Sequence, residues 1–385
     1  MTLAKSNEIT KIEGYVSSNP VKGAAFGSSY KTSFTVRKVF TENGAFSADG
    51  EVLLYFPKDL VEAFYPGKLY TSAAKRVEKG FLIENGADFS LDVDFAPVKG
   101  KTAFIVRSGK ALGWTGGKIA SRICHFRALC RLQFKRLMYG WGKAGGLLLA
   151  LLSGSREYTE KAVSDAFRDS GLSHILALSG MHLGLFGAIA RFLGRKASGR
   201  NLGDAVQLLA ILFFVWFAGL SPSLFRAFLA ALILYLNSLF RMNRPEPVSL
   251  LSVCFLVHVI IFPSHVFEAA FMLSYSSLGG IMILSRYVRK VCPAFVPYKV
   301  RLSLSDSTAA QIATSAISLK LFGKIAPIGI IASLFVSPLV FLFLYIGLFG
   351  IIISLFLPFL SVPISAIMNL LYLFISKLVL FFSFK

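Results

Sequence analysis

The sequence predicts an α-helical polytopic membrane protein that carries a small soluble β-barrel domain at its N-terminus. Three observations lead to this fold class. The 385-residue chain is 55% hydrophobic and has a mean hydropathy of +0.65, which ordinary soluble proteins do not reach. Its apolar residues concentrate after position 172, where runs of roughly 17–25 residues match the thickness of a bilayer. Residues 8–106 instead show short runs of β-branched and aromatic residues.

The first predicted domain, residues 1–110, reads as β structure. Runs such as "ITKIEGYV", "YKTSFTVRKVF" and "EVLLYFP" are separated by Gly, Asn, Pro and Asp clusters. About five strands in roughly 80 residues suit a small closed barrel of the OB type, and a small sandwich fits nearly as well. The stretch "FPKDLVEAFYPG" adds one helical turn between strands. The polar start "MTLAKSNEIT" has no apolar core, so no secretory signal peptide is predicted there.

The second predicted segment, residues 111–171, contains a basic amphipathic helix over 117–143. Five cations recur along it with apolar residues on the other faces: Arg122, Arg127, Arg131, Lys135 and Arg136. Such a helix suits a membrane interface, and a solvated linker helix is an equal alternative. The apolar run "GGLLLALLSG" that follows is too short to span, so a re-entrant or half-helix is expected. Residues 156–171 have a polar, helical period that stops at Gly171.

The third predicted domain, residues 172–385, is a multi-helix membrane domain. The predicted spans are 172–190, 204–220, 224–240, 248–263, 266–285, 307–322, 325–345 and 361–384, and the assignment of 346–358 is ambiguous. Basic residues lie in the loops 191–203, 241–247 and 286–303, whereas 221–223 and 264–265 contain none. By the positive-inside rule the first three loops are inside, so the start of the first span is outside. The β domain and the basic helix then also lie outside, provided that residues 145–154 do not cross the membrane.

The distribution of charge indicates an anionic partner. The net charge is +21, and residues 111–171 hold 10 Lys and Arg against 4 Asp and Glu. Because the positive-inside rule predicts few cations on the outer side, lipid headgroups or nucleic acid are expected to attract this segment. The four cysteines form no CxxC pair and no zinc-type spacing, so no metal or other cofactor is predicted.

The first span begins with the unusually polar stretch "SHILALSGMHLGLF". On a helix, the histidines and Ser179 share one edge, whereas Gly180, Gly184 and Gly187 form a stripe that lets a neighbouring backbone approach closely. Polar side chains are costly in lipid, so this edge faces protein or water. Two interpretations remain open: the polar groups hydrogen-bond between helices, or they line a hydrophilic path.

Later spans repeat this polar character. Arg226 follows a Pro-containing turn, Glu268 heads the fifth span with Ser274 further in, and Gln311 lies in a span that is barely hydrophobic. Such spans make poor lipid-facing helices and favour a wet cavity on which several polar faces converge. Arg226 and Glu268 are candidates for an ion pair, although Arg226 is near enough to its helix end to snorkel instead.

These motifs resemble the signature region of ComEC-type competence proteins. "LLSGSREYTEKAVSDAFRDSGLSHILALSGMHLGLF" is similar to the family's Gly-x-Arg element, amphipathic helix and "GLxHLLAISGLHVGL"-like motif. "FAGLSPSLFRAFLAALI" is similar to its "G-x-S-x-x-R-A" helix, and "FEAAFMLSYSSLGGIMIL" to its "G-F-x-L-S-F-x-A-x-x-G-I" helix. The three pieces occur in the family's order, and the resemblance covers about residues 145–350.

The resemblance implies an inner-membrane channel component for the uptake of single-stranded DNA in natural transformation of bacteria. The residues then expected to line or gate the DNA path are His174, Ser179, Gly180, His182, Arg226, Glu268, Ser274 and Gln311. The five cations of the basic helix are expected to attract DNA or lipid phosphate. Candidate stacking aromatics in the OB-like domain are Tyr30, Phe34, Tyr55, Phe56 and Phe64, although aromatics in a small barrel usually pack its interior.

The chain departs from the family pattern in two respects. Many members begin with membrane helices ahead of the OB-like domain, and none is visible in this sequence. Many also end in a metallo-β-lactamase-like domain with an HxHxDH motif, which does not occur here. Apart from the family pattern, no GxxxxGK[ST] loop occurs, so no ATP-driven motor is expected in this sequence. We therefore expect a channel without catalysis of its own that needs a separate nuclease, DNA receptor and helicase, with a homodimer as a further candidate assembly. The alternative function is a secondary transporter of a small anion or metabolite. An intramembrane hydrolase using Ser179 and His182 is disfavoured, because one helix places the two poorly for nucleophile–base contact.

Overall fold

The computed structural model describes residues 8–25, 28–62, 82–98, 101–176, 178, 180–243, 245–293, 295–323 and 325–383. The chain divides into two compact units. The first comprises Met1–Leu149 and Ser155–Thr159, and the second comprises Ala150–Gly154 and Glu160–Lys385. The first unit is thus discontinuous in sequence, because five residues rejoin it after the chain has entered the second.

The first unit is built on a β-sheet. In the part of the chain that the structure describes, its six strands are β1 (Ile9–Val16), β2 (Val21–Ala25), β3 (Ser28–Thr41), β4 (Gly44–Phe56), β5 (Ala87–Val98) and β6 (Lys101–Trp114). A short helix α1, Lys58–Glu62, follows β4 where the sequence predicted a helical turn. Two helices come after β6, namely α2 (Lys118–Gly140) and α3 (Gly142–Ser153). The helix α2 confirms the one predicted over 117–143.

The strand pairing of this sheet returns to its starting strand. β1 pairs antiparallel with both β3 and β5, β5 with β6, and β3 with β4, while β4 and β6 pair in parallel. β2 adds to the outer side of β3. Alternating residues of these strands are fully buried, among them Ile12, Phe34, Leu54, Phe89 and Phe104. The period of two of a β-strand, which points successive side chains to opposite faces, therefore determines which residues enter the core.

The second unit is helical. After α4 (Lys161–Asp169) and the single turn α5 (Ser173–Leu176), its long helices are α6 (Gly180–Ala218), α7 (Pro222–Leu239), α8 (Pro247–Ile261), α9 (Ala269–Val291), α10 (Tyr298–Phe322), α11 (Ile328–Phe356) and α12 (Ser361–Ser383). Turns of 3₁₀ helix at Pro263–Phe267 and Pro358–Leu360 precede α9 and α12. Proline begins α7 and α8, where its missing N–H has no intrahelical partner to lose.

Helix α6 is a hairpin of two helical arms. Its 39 residues turn back at Gly199, whose φ of +82° is accessible to glycine at little cost. A Cβ on Gly187 would lie 3.1 Å from the Ile211 side chain, although 24 residues of straight helix would separate them by about 36 Å. Arg191 and Asp204 pair across the same turn at 2.6 Å. The turn lies within the basic loop that the sequence predicted at 191–203.

In the part of the chain that the structure describes, four helical segments are long and apolar enough to cross a membrane by length and composition. They are Asn201–Ala218, Pro222–Leu239, Ile328–Phe356 and Pro358–Ser383, which correspond to the predicted spans 204–220, 224–240, 325–345 and 361–384. The ambiguous residues 346–358 mostly extend α11. α8 is apolar but shorter, and α9, α10 and the first arm of α6 are not among the four. A multi-pass membrane protein is the architecture that these segments indicate.

Candidate functional site

A polar centre in the second unit brings together α6, α7 and α9. Gly180 begins α6, and a Cβ there would lie 3.1 Å from the Ala227 Cβ and 3.4 Å from the Arg226 Nη2. The half-buried Arg226 guanidinium lies over the Tyr275 ring, 5.9 Å from its centroid. The absence of a side chain at Gly180 therefore lets α6 approach α7 closely at Ala227, beside Arg226.

A hydrogen-bonded chain of side chains adjoins Arg226. The Tyr275 hydroxyl donates to the Cys254 carbonyl oxygen at 3.1 Å, and it also lies 3.1 Å from His258 Nδ1. His258 Nε2 is 3.1 Å from His265 Nδ1. His258 is fully buried. These contacts tie α8, the 3₁₀ turn and α9 together at the point where α7 contributes Arg226.

The predicted ion pair between Arg226 and Glu268 is wrong. Among the described residues, the ion-pair partner of Glu268 is His265, whose Nε2 lies 3.8 Å from Glu268 Oε1. Both residues sit at the junction of the 3₁₀ turn and α9, three positions apart, so the pair is local. Arg226 faces the ring of Tyr275 instead, because α9 presents that residue two turns further along.

The other predicted path residues occupy separate places. His174 lies in α5 with an exposed side chain, whereas His182 is buried near the start of α6. Ser274 is half-buried in α9, where its carbonyl oxygen accepts a bond from a neighbouring serine. Gln311 Nε2 donates to a backbone carbonyl just before α11 at 2.6 Å. Ser179 lies outside the described residues. Their convergence on one path stays a prediction.

Polar residues of α10 join neighbouring helices. Asp306 accepts a hydrogen bond from the Ser285 hydroxyl of α9. The hydroxyls of Ser307 and Ser333 lie 3.1 Å apart between α10 and α11. For these residues the structure favours the first of the two interpretations, hydrogen bonding between helices, which also explains how a barely hydrophobic helix is accommodated.

Two apolar grooves run along the last helices. One, of about 220 Å³, is lined by residues of α11 and α12, including Tyr345, Phe349 and Ile367. The other, of about 390 Å³, is lined by Leu339, Phe374, Lys377, Leu378 and Phe381. Within the described part of the chain, no cluster of three or more His, Cys, Asp and Glu side chains has a metal-binding arrangement. Apart from Lys377, the residues that line the two grooves are apolar or aromatic.

Three of the five cations predicted on an outer basic surface are buried, which corrects that prediction. Arg131, Lys135 and Arg136 are 2%, 1% and 7% exposed. Lys135 Nζ lies 2.5 Å from Glu84 Oε1 and 2.8 Å from Glu157 Oε1, and Arg131 Nε lies 2.9 Å from Glu84 Oε2. The helix turns this face toward the interior because two buried carboxylates compensate its charges.

The pKa values of this buried cluster follow from its pairing. Burial alone would raise the pKa of the Glu84 carboxyl, but the charges of Arg131 and Lys135 outweigh it and hold that pKa below its usual value. Burial alone would lower the pKa of Lys135, and the carboxylates of Glu157 and Glu84 outweigh it and raise that pKa. Glu84 and Lys135 are therefore both charged at neutral pH.

The opposite face of α2 is exposed and mixed in character. Ile119, Ile123 and Phe126 are 76%, 48% and 61% exposed, and their spacing puts them on one side of the helix with the exposed Arg122. Arg127 is half-buried, and its Nη2 donates to the backbone carbonyl oxygen of Asn85, just before β5, at 3.1 Å. Of the predicted basic surface, Arg122 is thus fully available and Arg127 in part.

The candidate stacking aromatics of the β domain belong to its core. Tyr30, Phe34 and Phe56 are fully buried, Tyr55 is 7% exposed, and Phe64 lies outside the described residues. The four aromatic residues that the structure describes therefore pack in the interior of the β domain and are not available as a stacking surface. The four cysteines, Cys124 and Cys130 among them, are free.

The comparisons with known proteins point in one direction. A family model described as "Competence protein" matches residues 151–384, more than half of the chain. The chain belongs to the competence protein family. A relative, "ComE operon protein 3" of Bacillus subtilis (strain 168), is 29% identical over 147 residues, 38% of this chain. That match spans 19% of the relative's own length. No solved structure matches the chain.

The part matched by the competence family contains the whole polar centre, from Gly180 to Tyr275. Sequence reasoning missed His258 within it, because a single histidine in an apolar helix carries no spacing signal. It also missed Glu84 and Glu157 as partners of the basic helix. Several cations on one helix face, with no acidic residue nearby in the sequence, could have indicated that this face pairs with acidic residues from elsewhere in the chain.

Proposed function

We propose that this chain is the membrane-embedded conduit component for uptake of single-stranded DNA across the bacterial inner membrane in natural transformation. The observation that carries the proposal is the position of Arg226 within the family-matched region. It is a half-buried cation against Gly180, and its Nε has no hydrogen-bond partner in the described structure. A guanidinium with an available N–H is suited to a phosphate oxygen.

The experiment measures uptake of labelled DNA in a transformable bacterium whose own copy has been deleted. Arg226→Ala is expected to reduce uptake by about tenfold or more, since a hydrogen bond to a charged group contributes roughly 1.5–3 kcal/mol. The matched control is Arg168→Ala, which removes a 62% exposed arginine of the same unit. Equal uptake by both variants, at equal membrane levels, would exclude Arg226 from the path.

We also propose that the first unit is an OB-like barrel on the outer side of the membrane. The cyclic order of the five paired strands, with β4 and β6 parallel, supports a closed barrel. Arg122 and the exposed apolar residues beside it would then contact lipid headgroups or DNA. Binding of a labelled oligonucleotide to the full chain in nanodiscs, with and without anionic lipid, tests this. Arg122→Ala should weaken DNA binding and reduce its salt dependence if DNA is the ligand.

The proposed conduit carries no catalytic step of its own. The degradation of one strand and the pulling of the other would then belong to a separate nuclease and helicase, with a receptor that presents DNA on the outer side. Co-purification of the tagged chain from competent cells tests these partners. A tagged and an untagged copy in the same cell test for a homodimer.

A further inference from the structure

The hydrogen-bonded chain beside Arg226 has a fixed direction. The Cys254 carbonyl oxygen can only accept, so the single hydroxyl proton of Tyr275 is donated there. His258 Nδ1, 3.1 Å from the same hydroxyl oxygen, must then carry a proton and donate it to Tyr275. A neutral His258 consequently has a bare Nε2, which accepts from His265 Nδ1 at 3.1 Å. The geometry thus selects one tautomer for each histidine.

This direction of hydrogen bonding leaves Nε2 of a neutral His265, at the far end of the row of hydrogen-bonded side chains, without a proton. A neutral His265 that donates through Nδ1 has a lone pair on Nε2, and that atom lies 3.8 Å from Glu268 Oε1. Two acceptors would then face each other. One additional proton on His265 Nε2 converts the contact into an imidazolium–carboxylate pair. The His265 side chain is 16% exposed and that of Glu268 is 51% exposed, so water reaches this end.

The surroundings of the two imidazole rings agree with a neutral His258 and a His265 that can accept a proton. Phe262 stacks on His265 with centroids 4.8 Å apart and an interplanar angle of 14°, an arrangement that suits a cationic ring. His258 is instead enclosed by the edges of Phe225 and Phe271 at 4.7 and 4.9 Å. An enclosed ring whose two nitrogens are already hydrogen-bonded stays neutral, because a second charge there would be both buried and close to Arg226.

Charged and titratable groups approach His258 from each element packed against it. α7 contributes Arg226, α9 contributes Tyr275, and the 3₁₀ turn contributes His265, with Glu268 behind it. Cys254 lies on α8 itself, one turn before His258, and its carbonyl ends the chain. A backbone carbonyl cannot pass a proton onward, so the chain stores a proton at one end and does not conduct it.

We propose that His265 and Glu268 form a proton-binding site whose occupancy is transmitted through His258 to Tyr275 and Arg226. On binding, a proton from water forms the N–H bond at His265 Nε2, and it returns to water when the pH rises. The imidazolium donates more strongly to His258, which holds Tyr275 under the guanidinium. The pH at the end of α8 therefore affects the position of Arg226, and a consequence for DNA uptake rests on the proposed function, which places Arg226 on the DNA path.

The test is nitrogen-15 solid-state NMR of the full chain in nanodiscs, with labelled histidine and no DNA. Between pH 5 and 8, where histidine ordinarily changes charge, His258 should remain a neutral Nδ1–H tautomer and His265 should lose its Nε2 proton. His265→Gln assigns the signals. Glu268→Gln should move the His265 transition to lower pH by a few tenths of a pH unit, as for an exposed ion pair. The control Asp165→Asn, on α4, should leave it in place.

Either of two results overturns the proton site: an Nε2–H tautomer of His258, or a His265 transition that Glu268→Gln does not move. The link to Arg226 has its own measurement, the pH profile of DNA uptake. Glu268→Gln should displace that profile in the same direction as the NMR transition, and an unmoved profile overturns the link. Because the NMR experiment contains no DNA, a failure of the proposed uptake function would leave its result intact.

Discussion

Replacing Lys135 by methionine removes the cation that joins two buried carboxylates in the first unit. At 2.5 and 2.8 Å, each contact represents about 6 kcal/mol of gross Coulomb attraction at an effective dielectric constant of about 20. Desolvation of the lysine offsets most of this. Removal of one partner from a buried pair nevertheless costs roughly 3–5 kcal/mol, because the remaining charge keeps its own desolvation penalty. We expect a loss near the lower value, since Glu84 retains Arg131.

Guanidinium unfolding of the full chain, followed by tryptophan fluorescence, measures this loss. The chain has three tryptophans, of which Trp114 and Trp141 lie in the first unit, so a Trp216→Phe background confines the signal to that unit. The control Arg122→Met removes an exposed cation from the same helix and should change stability by less than about 0.5 kcal/mol.

A second variant separates the lost charge from lost packing. Adding Glu157→Gln to Lys135→Met removes a carboxylate together with its cation, so part of the stability should return. The reasoning is refuted if Lys135→Met costs no more than Arg122→Met. It is also refuted if the stability losses of Lys135→Met and Glu157→Gln simply add in the double variant, because residues that interact directly are not expected to be additive.

Three further outcomes are expected. Acid should destabilise the first unit, because the pKa of Glu84 is lowered on folding; stability present above the unfolded-state pKa is lost as pH falls through the folded-state value, which an acid titration of the same fluorescence measures. Tyr30→Phe should cost about 1.5–3 kcal/mol in the unfolding assay, since it removes the 2.5 Å hydrogen bond from its hydroxyl to the carboxylate oxygen Glu62 Oε1. Gly280→Ala should lower the melting temperature in nanodiscs by several degrees relative to Gly279→Ala, because its Cβ would lie 2.8 Å from a carbonyl oxygen of α10 and the Gly279 Cβ meets nothing closer than 4.0 Å. Equal melting temperatures for the two glycine variants would contradict the close contact of α9 and α10.

Local sequence patterns predicted much of the fold. Runs of β-branched and aromatic residues predicted β1, β3 and the second half of β4, but not β2, β5 or β6. The basic residues around 191–203 marked the turn that Gly199 makes within α6. Long apolar runs predicted all four segments that are able to cross a membrane. In each case the signal lies within a few residues of the feature, because strand and helix periods are local properties of the chain.

The remaining features depend on residues far apart in sequence. The basic helix was assigned to a surface because its acidic partners, Glu84 and Glu157, lie 47 positions before Arg131 and 22 after Lys135. The glycine stripe of α6 was expected to meet one neighbour, yet Gly180 contacts α7 and Gly187 contacts the second arm of α6. Helical periodicity predicts which residues share one face of a helix, but it does not predict which other element packs against that face.

The discontinuous first unit has a consequence for how the protein is made. Glu157 completes the interior of a domain whose remaining residues, up to Leu149, have left the ribosome earlier. Until it arrives, Lys135 has one of its two acidic neighbours. An N-terminal fragment intended for biochemistry should therefore extend to Thr159, since one that stops at Leu149 would contain the buried Lys135 and lack its acidic contact Glu157.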